Sequence, residues 1–180
     1  MRNALMFLAL ALTGCNGTSP EVYSLVVSHF SLPDSCYTSG MQPSTVVTTT
    51  PPGLIQVSVY DGPDNTAFLD VEKGGGSIDM GAAPNVNVNG VFTGKKVDKG
   101  WQFASDSVTK QTLPGNNVVT ATTHAEIVFE RFANTFKGTV ALSSSSNCVG
   151  NQCPGANPSC SVSAIDVQGT RIAVQYERAP

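Results

Sequence analysis

Two histidines, thirteen acidic residues and five cysteines carry whatever side-chain chemistry this 180-residue chain can do. His124 stands two residues before Glu126, and His-x-Glu is half of the zinc-deaminase signature, but the Pro-Cys-x-x-Cys that completes it is missing. On a strand, His124 shares the polar face with Glu126 and Glu130, where a solvated imidazole is expected. His29 falls where the first apolar run changes parity, Tyr23, Leu25 and Val27 giving way to Phe30 and Leu32, which predicts a bulge. Asp61, Asp64 and Asp70 are close enough in sequence to suggest calcium. Their spacing is not that of an EF-hand, however, and Asp61-Gly62-Pro63-Asp64-Asn65 is a hairpin turn in its own right. Glu126 and Glu130 lie about 13 Å apart along one strand, too far for a glycosidase pair. The triplet Gly74-Gly75-Gly76 lacks the lysine and helix of a phosphate loop, and neither a Gly-x-Ser-x-Gly elbow nor a His-Glu-x-x-His helix occurs. No catalytic residue, metal or cofactor is expected, and the chain reads as a non-enzyme.

The remaining chemistry belongs to cysteine, and the first of them opens a second line of argument. Met1 and Arg2 lead into Ala4-Leu5-Met6-Phe7-Leu8-Ala9-Leu10-Ala11, an apolar stretch too short to span a bilayer, which runs into Leu12-Thr13-Gly14-Cys15. This ending resembles the lipobox of bacterial lipoproteins. The resemblance implies that residues 1–14 are a signal peptide and that the Cys15 thiol takes a diacylglycerol. It further implies that the new N-terminus is acylated, with residues 15–20 left as lipidated cysteine and tether. Each buried methylene contributes about 0.8 kcal/mol, so three acyl chains hold a protein on its membrane where one does not. Asn16 follows the cysteine in place of the aspartate that retains lipoproteins in the inner membrane of enteric bacteria. By that analogy the expected location is the outer membrane of the cell envelope.

With Cys15 assigned to lipid, four cysteines remain in an exported chain: Cys36, Cys148, Cys153 and Cys160. An even number in an oxidising compartment predicts two disulfides. The alternative, zinc held by the three late cysteines, fits no common module at their spacing and finds no histidine nearby. If a barrel closes by pairing its first and last strands, Cys36 after the first meets Cys160 at the start of the last. Cys148 and Cys153 are then left to bridge within their own loop. Cys148 with Cys160 and Cys36 with Cys153 is the competing pairing.

What positions these residues is an all-β body. Residues 21–180 form one domain's worth of chain, and beyond residue 20 no window shows a helical period. Period two recurs instead: Ile55, Val57 and Val59; Ala67, Leu69 and Val71; Val86 and Val88; and Val119, Ala121, Thr123, Ala125, Ile127 and Phe129. Turn chemistry separates the runs at Pro51-Pro52-Gly53, residues 61–65 and 74–76, Asp98-Lys99-Gly100 and Pro114-Gly115-Asn116-Asn117. These signals predict strands near 22–32, 54–61, 66–73, 77–80, 86–97, 101–110, 118–132, 135–144 and 161–176. The Thr-rich stretch 44–52 reads as an extended connection, with an edge strand as the alternative, and Ser143–Asn147 and Gly150–Ser159 as a disulfide-pinned loop.

Eight or nine strands in an antiparallel meander predict a small up-and-down, lipocalin-like barrel, with a two-sheet β-sandwich as the alternative. Small residues such as Ala121, Ala125 and Gly138 suit a tight interior better than a wide cavity. A membrane-spanning barrel is disfavoured because no strand shows an outward apolar band flanked by aromatic girdles.

Without the leader the chain has nine basic and thirteen acidic residues, so no electrostatic footprint for nucleic acid exists. Ser31-Leu32-Pro33-Asp34-Ser35-Cys36-Tyr37, Val59-Tyr60-Asp61-Gly62 and Phe136-Lys137-Gly138-Thr139 resemble segments of uncharacterised envelope lipoproteins of the myxobacterial kind, a group that brings no known activity. The expectation is a membrane-anchored, non-enzymatic structural or interaction module; the alternative is a lipocalin-like carrier of a small apolar ligand. The Gly-x-Trp that lipocalins carry on their first strand is absent, and Trp101 is mid-chain.

Overall fold

The computed structural model describes residues 20–37, 55–153 and 157–172. Their strands are β1 Glu21–Val27, β2 Ile55–Asp61, β3 Thr66–Lys73, β4 Ser77–Met80, β5 Ala83–Asn87, β6 Gly90–Val97, β7 Gly100–Leu113, β8 Asn117–Phe132, β9 Thr135–Val149 and β10 Ser159–Arg171. Eight of them close an antiparallel barrel in the order β1-β10-β9-β8-β7-β6-β3-β2, while β4 and β5 form a separate two-stranded sheet. The chain is therefore an up-and-down barrel and not a sandwich, closed by β1 pairing with β10 from Tyr23 opposite Arg171 to Val27 opposite Val167.

The turns follow the residues that make them. Asp64 and Asn65 both have positive φ, 53° and 62°, and the Thr66 amide donates to the Pro63 carbonyl at 2.9 Å. That is the mirror-image turn whose twist suits a hairpin, and it joins β2 to β3. Gly115 (φ 77°) and Asn116 (φ 58°) turn β7 into β8.

Alternation then sorts the side chains. Tyr23, Val57, Leu69, Phe92, Phe103, Phe129, Phe136, Leu142 and Val167 all point inward and are buried. The interior is filled by rings more than by small residues: Phe136 lies 4.9 Å from Tyr23 and 4.1 Å from Phe129, and Phe103 lies 6.1 Å from Phe129. The small residues are what let those rings in. A Cβ on Gly169 would come within 2.3 Å of the Phe136 ring, and one on Gly138 within 2.5 Å of the Phe129 ring.

Four strands, β7 to β10, outlast the barrel, β10 continuing past β1 to pair Ser159–Val162 with β9. β6 pairs with β7 only from Gly100 to Ala104, whereas β8 follows β7 as far as Leu113 and β9 follows β8 as far as Val149. The surplus makes a blade that projects from one end. The β4–β5 hairpin packs against β8, β9 and β10, with Met80, Ala83 and Val86 buried beneath it. The Ser144 hydroxyl donates to the Pro84 carbonyl. Gly81, at φ 70°, lets the hairpin turn press on the Cys36 carbonyl, which accepts the Ala82 amide at 2.8 Å.

Several expected boundaries shift for physical reasons. The run read as one strand over 86–97 is two, β5 and β6, because the pairing breaks at Val88 and Asn89, ahead of Gly90 with its positive φ of 86°. The first strand stops at Val27, so His29 sits in exposed coil and no bulge forms there. A register shift occurs instead in β10, between Val162 and Ile165, where Ala164 has φ 60°. Ser143–Asn147 is not a loop: it is the blade portion of β9, and Cys148 lies on the same strand. The Thr-rich stretch 44–52 lies outside the described residues.

Candidate functional site

Two places gather functional groups: the end of the barrel where β1 begins, and the outer face of the blade. At the first, Glu21 shares the inward parity of Tyr23 and so reaches over the barrel mouth. The Tyr23 hydroxyl donates to Glu21 Oε2, and Arg131 Nη2, from the end of β8, donates to Glu21 Oε1 at 2.6 Å. Arg171, from the end of β10, adds a longer ion pair at 3.8 Å. The Arg131 guanidinium also lies 5.6 Å from the centre of the Trp101 ring, a cation–π distance. Together these side chains plug the barrel mouth. The carboxylate is shared between cations and a phenol, so no unpaired charge is buried.

Burial, then the hydrogen bond and charge of Glu21, hold the Tyr23 hydroxyl well above the usual tyrosine range. The folded chain keeps a proton that the unfolded chain loses near pH ~10. The stability contributed by this group is therefore intact below about pH 10 and lost as the pH rises further. Melting temperatures measured from about pH 8 to 11 are expected to fall above pH ~10 in the wild-type chain, and less steeply in Tyr23→Phe. Equal slopes in the two proteins would remove Tyr23 from the account.

On the blade, Asp106 of β7, His124 of β8, Ser143 of β9 and Ser161 of β10 form one row across four strands. His124 Nδ1 lies 2.7 Å from Asp106 Oδ1, within hydrogen-bond distance. Beside them runs a groove of about 350 Å³ lined by Ser35, Thr122, Ser143, Ser145, Ser159 and Ser161 among others. The row has the composition of a nucleophilic triad and lacks its geometry. No hydrogen bond joins His124 to Ser143, and the backbone amides of β8 and β9 are spent in ladders on both sides, leaving no paired donors for an oxyanion. What this face offers is hydroxyl hydrogen bonding and one histidine–carboxylate contact.

The other candidates separate. Asp61 pairs with Lys96 at 2.7 Å, and Asp64 serves the turn. The amide of Gln102 donates to Glu126 at 2.5 Å. Among the described residues, no three His, Cys, Asp or Glu side chains converge on a point that could hold a metal. Cys36 is bonded to Cys160 and Cys148 to Cys153. Cys15 lies outside the described residues. No family model, curated protein or solved structure matches the chain. Sequence reasoning missed both the plug and the Asp106–His124 pair.

Proposed function

We propose that the protein is a lipid-anchored lipoprotein of the bacterial cell envelope, held in the outer membrane through Cys15, and that it is a non-enzymatic interaction module. The observation that carries the reading is the filled and covered barrel. Its interior is occupied by Tyr23, Phe103, Phe129 and Phe136, one mouth is plugged by Glu21, Arg131 and Trp101, and the other lies under the β4–β5 hairpin. A domain built this way has its recognition surfaces on the outside. The lipobox residues Leu12-Thr13-Gly14-Cys15 stand five residues ahead of Pro20, so the tether leaves from the plugged end. The blade then points away from the membrane.

The experiment is Cys15→Ser with metabolic labelling by a tagged fatty acid. Only a thiol accepts the diacylglyceryl group, so the label is expected to vanish while the β domain still folds, the tether being outside its core. Persistent label in the variant would overturn the anchor. The second reading, a carrier of a small apolar ligand, is favoured by the closed eight-stranded barrel itself and requires the ring cluster to open.

A further inference from the structure

We propose that two copies of this chain pair through the β7 edges that the described residues leave open, antiparallel about a two-fold axis at Val108. The inference deepens the reading of the protein as an interaction module by naming the partner as a second copy; it does not depend on the anchor.

From Ser105 to Leu113, β7 is paired with β8 on one side, and among the described residues nothing pairs with it on the other, because β6 leaves at Ala104. A row of unmet backbone amides and carbonyls is a template for another strand. Folded proteins blunt such edges with bulges, prolines or charged side chains, lysine above all. This stretch, Ser-Asp-Ser-Val-Thr-Lys-Gln-Thr-Leu, has neither proline nor bulge, and its two charges are of opposite sign.

Those charges select the register. Asp106, Val108 and Lys110 lie on the outer face at alternate positions, and all three are exposed, Val108 by 59%. When Val108 faces Val108 of a second copy, each Asp106 faces a Lys110, giving two ion pairs around an apolar centre. On the opposite face, Ser105 then meets Gln111 and Ser107 meets Thr109, pairs that hydrogen-bond without strain. The seven residues 105–111 are self-matching in this register. They end where β6 takes over the edge, so the neighbouring chain meets no occupied strand until Ala104. The alternative centred on Thr109 uses nine residues but sets Lys110 against Val108 and leaves Asp106 facing Thr112. Asp106 already holds His124 of its own chain at 2.7 Å, and its second oxygen remains for the partner's lysine. Thr120 and Thr122, the β8 neighbours of Lys110 and Val108, bring no charge. The two Pro20 ends fall at opposite extremes of such a pair, since β7 runs away from the plugged end. Anchored copies would thus meet between facing surfaces, where many weak contacts act together.

The test is disulfide trapping in the full-length, detergent-solubilised protein. Facing residues of an antiparallel pair lie within bridging distance, so Val108→Cys is expected to run as a covalent dimer on a non-reducing gel and Thr112→Cys as a monomer. Charge reversal reads the register: Asp106→Lys and Lys110→Asp, each in the Val108→Cys background, should lose the dimer band, and the combined variant should regain it. Unchanged melting of each variant shows that the fold is intact. A monomeric Val108→Cys protein, as when this edge is covered by the chain's own residues or by a different partner, overturns the proposal. So does trapping at Thr109→Cys in its place, or a combined variant that stays monomeric. The Cys15→Ser chain should pair like the wild type, so failure of the anchor and failure of the pairing are separable.

Discussion

Replacing Cys36 and Cys160 together by serine is expected to lower the free energy of unfolding by about 5 kcal/mol, against about 2 kcal/mol for the same change at Cys148 and Cys153. The difference lies in the unfolded chain. The first crosslink joins residues 124 apart in sequence and the second residues 5 apart, and the entropy removed from the denatured state grows with the logarithm of the loop. The folded state adds to the contrast. Cys36 and Cys160 are 1% and 4% exposed, beneath the β4–β5 turn that hydrogen-bonds the Cys36 carbonyl, so losing the bridge also loosens the hairpin that covers the barrel end. Cys148–Cys153 closes a ring at the rim of the blade, where the Asn117 side chain already holds the loop by accepting the Gln152 amide at 3.0 Å. Guanidinium denaturation of the two double variants would measure both losses. Equal destabilisation would mean that the long crosslink constrains little that the strands do not already constrain.

Phe136→Ala is expected to cost about 3–5 kcal/mol, the largest effect of any single substitution considered. Its ring is fully buried between Tyr23 and Phe129, and no part of it reaches solvent through which the cavity could relax. Gly169 of β10 supplies the control. Its backbone faces Phe136 directly across the sheet, and an added methyl would lie 2.3 Å from the ring. Gly169→Ala should therefore destabilise the wild-type chain and be partly relieved in the Phe136→Ala background, where the cavity accepts the methyl. Additive effects in that double-mutant cycle would show that the two positions do not share the space.

The parts of this architecture that a sequence can show are those where one face of a strand meets a core. Ala125, Ile127 and Phe129 are buried at alternate positions because that part of β8 lines the core, while Val119, Ala121 and Thr123 extend the same period into the blade, and the Asp64-Asn65 turn carries its own geometry. The blade is different. Residues 106–113 of β7 are exposed on both faces, and Ser143–Asn147 of β9 has no apolar side chain, its one buried residue being Ser144 under the β4–β5 hairpin, so neither carries the alternation that marks a strand. They are strands because their neighbours continue. Likewise Val86 and Val88 look like the start of the strand that follows, and only a break of two residues, Val88 and Asn89, ahead of Gly90 separates β5 from β6.

The Asp106–His124 pair was within reach of the sequence. A tight turn at Pro114-Gly115-Asn116 fixes the hairpin so that facing residue numbers sum to 230 throughout, which puts His124 opposite Asp106. The plug was not within reach. Glu21 and Arg131 are 110 residues apart and meet only because barrel closure leaves just two strands, β10 and β9, between β1 and β8.

The central claim is that the barrel is filled, and that the protein acts through its outer surface. The most direct measurement is a titration of the native chain with a fluorescent fatty acid, read by energy transfer from Trp101. Trp101 is the sole tryptophan, and it is buried at the plugged mouth beside Tyr23. A filled barrel predicts no saturable transfer, the signal rising only in proportion to free probe. Saturation at one probe per chain, lost in a competition with unlabelled fatty acid, would contradict the account and make the protein a carrier.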